Sequence, residues 1–90
     1  MSSDKVHDIV EAILLDHFNI KPQDFNWDVP LETMDSDFKL LSYVLFLEQL
    51  INKKFNLKVL LLEKINVAIH TPNDVVSIII SELNAKQIKP

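Results

Sequence analysis

"SDFKLLSYVLFLEQLINKKFN", residues 36–56, is the most apolar stretch of the chain, and its spacing is helical. At about 100° per residue, Leu40, Val44, Leu47 and Ile51 centre one face, flanked by Tyr43 and Leu50. The spacing predicts a helix from about Asp37 to Lys54, with Phe55 at its end and Asn56 in the left-handed position that closes helices. Phe38 and Leu45 project nearly opposite that face, beside Ser42, Gln49 and Lys53, and Phe46 leans the same way. A helix apolar almost all round is either deeply buried or offers a second face to something. A chain of 90 residues leaves little room for burial on every side.

Just ahead of this run, Ser36 stands between Asp35 and Asp37. Ser is a preferred helix cap, because its oxygen accepts from an exposed N–H of the first turn. If Asp35 or Asp37 takes the cap instead, the Ser36 hydroxyl is left for covalent modification. Both readings are open at this level.

Outward from this segment the pattern is again helical. In "SSDKVHDIVEAILLDHFNI", residues 2–20, Val6, Ile9, Val10, Ile13, Leu14 and Phe18 form one stripe. Ser2, Ser3 or Asp4 can cap its start, and Asn19 suits its C-terminal end. Residues 20–36 carry two prolines and no sustained period, so a long ordered loop is expected, pinned by Phe25, Trp27, Val29 and Leu31. "VLLLEKINVAI", residues 59–69, is a short apolar run that suits strand or helix, and a short, irregular third helix is the favoured reading. In "HTPNDVVSIIISELN", residues 70–84, Thr71 is the N-cap, Pro72 the first helical residue and Asp74 the third, close to a capping box. Val75, Val76, Ile79 and Leu83 face inward. The sum is one all-α domain over residues 1–90, a small four-helix bundle with its core at about 5–84, a long loop between the first two helices and a short third helix.

Composition narrows the chemistry. There is no cysteine, so no disulfide framework, thiolate metal site or Cys nucleophile is available. There is no glycine either, which removes P-loops, dinucleotide fingerprints and nucleophile elbows, all of which need close backbone approach. His7, His17 and His70 lack the spacing of a helical metal site. The loop carboxylates Asp24, Asp28 and Glu32, with Asp35 and Asp37, lack the regular spacing and central Gly of a calcium loop. With a net charge of −4 and one thin basic cluster, nucleic-acid binding is not expected. The N-terminus has no apolar core of a signal peptide, and Ser42, Glu48 and Gln49 break the longest apolar run. A soluble, cytoplasmic protein that stands alone and is not an enzyme is expected.

The order of these elements, with particular residues, resembles the acyl carrier protein family over most of residues 5–84. "IKPQDF" (20–25) is similar to the segment after that family's first helix, and "LEQLINKKFNLKV" (47–59) to the end of its second. "IHTPNDVVSIIISEL" (69–83) is similar to the start of its fourth. The resemblance implies a carrier fold in which a Ser of a Gly-x-Asp-Ser-Leu motif holds 4′-phosphopantetheine, whose thiol carries an acyl or polyketide-type intermediate. Here it points to Asp35-Ser36, with Ser42 as second choice and Asp35 and Asp37 assisting recognition. The implied partners are a phosphopantetheinyl transferase and acyl-transferring or condensing enzymes of fatty-acid or polyketide synthesis.

The motif departs from the family's. The preceding Gly is missing, and Asp37 stands where Leu is usual. In the family the Ser precedes the closing Phe by about fourteen residues, about four helical turns; here Ser36 precedes Phe55 by nineteen and Ser42 by thirteen. Working back from Phe55, the attachment position falls on Leu41; aligned forward from "IKPQDF", it falls on Lys39. Both routes imply either an insertion in the second helix or a carrier fold that has lost its Ser, and the second expectation is a pseudo-carrier without the prosthetic group. Such a domain binds a protein partner, or a second copy, through Phe38, Leu45 and Phe46. Sequestration of an acyl chain between the second and third helices is a further use of the same apolar face.

Overall fold

A computed structural model describes residues 3–61 and 70–87. Among them are four α-helices and no strand: α1 Ser3–His17, α2 Leu31–Met34, α3 Leu41–Phe55 and α4 Pro72–Gln87. Two short 3₁₀ turns, Pro22–Asp24 and Ser36–Lys39, join them. The described residues form a small all-helical bundle in which α1 packs on α3 and α4. No described helix is long and apolar enough to cross a membrane.

The α1 stripe is buried as its period predicts. Val6, Val10, Ile13 and Leu14 are inside, with Phe18 just beyond the helix and Ile9 packed at its edge. They meet Val44, Leu47, Ile51 and Phe55 of α3, and Val75, Val76 and Ile79 of α4. Each such side chain contributes about 1.5–3 kcal/mol relative to exposure, which makes this shared seam the main source of stability.

Both helix ends predicted near residues 56 and 71 form. Asn56 adopts φ 55° and ψ 51°, and its N–H donates to Asn52 O, closing α3 without a glycine. At α4, Asp74 N–H donates to Thr71 Oγ1 (3.2 Å) while Thr71 N–H donates to Asp74 Oδ2 (3.1 Å). That reciprocal pair is a capping box with Asp at the third position. Asn19, expected at the C-terminal end of α1, lies two residues beyond it without the left-handed conformation, which among the described residues only Asn56 adopts.

The long loop is ordered by its aromatics. Trp27 lies edge-on to Phe25 (4.9 Å between centroids) and to His7 of α1 (4.8 Å). Leu31 is buried, and Leu31 N–H donates to His70 O. Asn73 ties the same loop to α4, through its N–H to Trp27 O and its amide to Asp28 Oδ1. The short third helix expected over 59–69 falls mainly on residues 62–69, outside the described ones.

The main difference from expectation lies at the start of α3. It opens at Leu41, not near Asp37, because Leu40 is extended (φ −87°, ψ 131°) and Ser36–Lys39 wind as a separate 3₁₀ turn. Three residues per turn, followed by an extended residue, reset the helical phase. Phe38, expected on the outer side, is consequently fully buried.

Candidate functional site

The segment from Asp35 to Phe46 gathers the residues singled out in the sequence. Asp35, with 7% exposure, caps the 3₁₀ turn: its Oδ1 accepts from Asp37 N–H at 3.0 Å. Its Oδ2 accepts from Asn19 N–H at 3.1 Å, which joins the end of α1 to the start of the turn. Asp35 is therefore a structural clasp, buried by the same contacts that satisfy it, and has little surface to offer a partner. Ser36 is exposed, and its hydroxyl does not serve as the cap.

Phe38 sits beneath this turn, with its ring 4.9 Å from Phe18 and 5.6 Å from Tyr43. Its assignment to a partner-binding face is corrected by that burial: the 3₁₀ turn points it into the bundle, where it locks α3 onto the end of α1. Tyr43 and Phe46 complete the aromatic group, at 5.4 and 5.5 Å from Phe18. Burial pushes the Tyr43 hydroxyl above its usual range, and the Asp35 and Asp37 carboxylates push it further, Asp37 also through a hydrogen bond. Asn19 Nδ2 reaches the same hydroxyl at 3.4 Å.

On α3 itself, Leu41 is 67% exposed, Leu45 42% and Phe46 41%. Leu40, just before the helix, and Leu60, in the chain's return past it, are also exposed large apolar residues. Asn52 fastens that return: its amide donates to Val59 O (3.0 Å) and accepts from Val59 N–H (2.8 Å). Glu48 Oε1 accepts from Leu61 N–H at 2.7 Å. Asn52 was not singled out in the sequence, and Glu48 only as an acidic break in the apolar run. An Asn or Glu in a helix is ordinarily a solvated residue, and only the returning chain gives these two their partners. Ser42 and Gln49 are exposed between Leu45 and Phe46 on the outward side.

Ser36 stands on a four-residue 3₁₀ turn, five residues before the 15-residue α3, so the favourable field of the long helix's N-terminus, which fades within one turn, centres on Leu41. A groove of about 460 Å³ lined by Asn56, Leu57, Lys58, Glu82 and Ala85 lies by the opposite end of α3, away from Ser36. No protein-family model matches the sequence, and neither the curated proteins nor the solved structures contain a significant match.

Proposed function

We propose that this chain is a non-enzymatic, protein-binding domain of the acyl carrier type that works without a phosphopantetheine arm, as an adaptor or structural subunit. The observation that carries this is Leu41. The first residue of α3, the position where a carrier of this type would present its serine, is an exposed leucine. Leu45 and Phe46 extend the apolar surface along the helix. Exposed clusters of large apolar side chains on a small domain are characteristic of docking sites.

A carrier function with 4′-phosphopantetheine on Ser36 is the second reading. It is favoured by one feature: Asp35 is the cap, which leaves Ser36 exposed beside an aspartate as in the family's Asp-Ser pair. Its partners would be a phosphopantetheinyl transferase and acyl-transferring or condensing enzymes.

Intact mass after incubation with coenzyme A and a broad-specificity phosphopantetheinyl transferase, repeated with the chain's own transferase if one is identified, separates the two. The adaptor role predicts no gain in mass. A gain of one phosphopantetheine that disappears in Ser36→Ala and persists in Ser42→Ala overturns it in favour of a carrier.

A further inference from the structure

With no cysteine in the chain, its sulfur atoms are those of Met1 and Met34. Met34 is the last residue of the four-residue α2, half-buried and packed against the edge of the core. Its Sδ accepts the backbone N–H of Asn26 at 3.3 Å, a surface contact that ties the long loop to α2. A thioether is a weak acceptor, so this N–H is held by a bond sensitive to the state of the sulfur. The turn it belongs to has other supports. Asn26 Oδ1 accepts from Asp28 N–H at 2.8 Å, Phe25 lies against Trp27, and Asn73 holds both Trp27 O and Asp28 Oδ1. On its other side Met34 adjoins Asp35, whose N–H closes α2 on Leu31 O.

We propose that Met34 is a reversible oxidation site whose sulfoxide releases the turn at Asn26–Asp28 from α2. The oxidant is a peroxide. A sulfur lone pair attacks one oxygen of hydrogen peroxide, the O–O bond breaks, and the departing oxygen takes up the remaining proton and leaves as water. Sulfur loses the two electrons that the peroxide gains. A dithiol-dependent reductase reverses the step: the sulfoxide oxygen leaves as water and the dithiol becomes a disulfide.

Neither sulfoxide epimer can keep the present contact. Oxygen added on the side facing Asn26 would have to fit within the 3.3 Å between sulfur and nitrogen. An N–H···O bond by itself takes about 2.9 Å, which leaves no room for the sulfur–oxygen bond. Oxygen added on the other side draws electron density from the sulfur, so the N–H faces a positive centre in place of an acceptor. Either product also sets a polar group where the thioether packs on the core. The proposal is independent of the docking role above.

The test treats the folded full chain with hydrogen peroxide, locates the added oxygen by peptide mass spectrometry, and repeats the treatment on Met34→Leu, which keeps the apolar contact and leaves Met1 as the sulfur. Oxidation at Met34 should speed hydrogen exchange of the Asn26 amide, read by NMR, about tenfold and lower the urea midpoint by about 0.5–1 M. The two methionine sulfoxide reductases, one for each epimer, should restore both values with a dithiol present. Met34→Leu should show neither response to peroxide. A Met34 that stays unoxidised where Met1 is fully converted overturns the site. Full oxidation with Asn26 exchange and the urea midpoint unchanged overturns the release, as does the same response in Met34→Leu. Global unfolding of the sulfoxide form, seen by circular dichroism, makes Met34 a core residue and overturns the local release as well.

Discussion

Replacing Asp35 by alanine should destabilise the bundle more than any other single change at the polar surface around the start of α3. The carboxylate accepts from two backbone N–H groups, Asn19 at 3.1 Å and Asp37 at 3.0 Å, that are sixteen residues behind it and two ahead. Loss of an N-cap costs about 1 kcal/mol, and a hydrogen bond to a charged group contributes about 1.5–3 kcal/mol. Part of that returns because water reaches Asn19, so the total should be about 2–4 kcal/mol. A domain of this size has about 5–15 kcal/mol in all, and each kcal/mol moves Tm by about 4–8 °C, so a fall of about 8–32 °C is expected. Asp35→Asn keeps one acceptor oxygen and sets an NH₂ group against the other donor, so it should cost about half as much. Ser36→Ala should stay within about 0.5 kcal/mol, because Asp35 and not Ser36 is the cap. Urea unfolding followed by circular dichroism and by fluorescence of the single tryptophan, Trp27, measures all three. An Asp35→Ala variant within about 0.5 kcal/mol of wild type, or a Ser36→Ala variant as damaged as Asp35→Ala, would refute the clasp.

Phe38→Ala should cost about 3–5 kcal/mol, the range for removing a buried ring, and its urea midpoint reads this directly. Asn56→Ala should cost about 1 kcal/mol because alanine is strained at φ 55°, whereas Asn56→Gly should fold normally; thermal melts separate them. Tyr43 is the one tyrosine, so absorbance at high pH reports it alone, with a midpoint above the usual value near 10. A raised folded value means the folded state holds that proton more tightly; the associated stability is complete below pH about 10 and is lost above it, and Tyr43→Phe removes that dependence.

Local signals were enough for α1, for the Thr71–Asp74 box and for Asn56, because each depends on neighbours within about one helical turn. The pinning of the long loop by Trp27 and Leu31 was equally legible, since large apolar residues in a loop of a small domain have to go inside. Ser36 could be read only as an alternative between cap and modification site; the structure gives the cap to Asp35, and the reason is Asn19, whose N–H needs the second carboxylate oxygen. The structural roles of Asn52 and Glu48 were not legible in the sequence because their partners, Val59 and Leu61, arrive from the chain's return past α3.

The amphipathic periods by themselves determined that the described residues form a helical bundle, because burial of one face is a property of the 3.6-residue repeat. Where α3 begins, and so which apolar residues it shows to solvent, was decided by tertiary structure. One period carried through residues 37–54 sets Phe38 and Leu45 on the same outer side. The 3₁₀ turn and the extended Leu40 break that period, and the pocket formed by Phe18 and Tyr43 takes Phe38 inside. Leu41, Leu45 and Phe46 remain outside. A helical projection keeps its phase only while the winding is unbroken, and a break of five residues leaves no mark in composition or spacing that would reveal it.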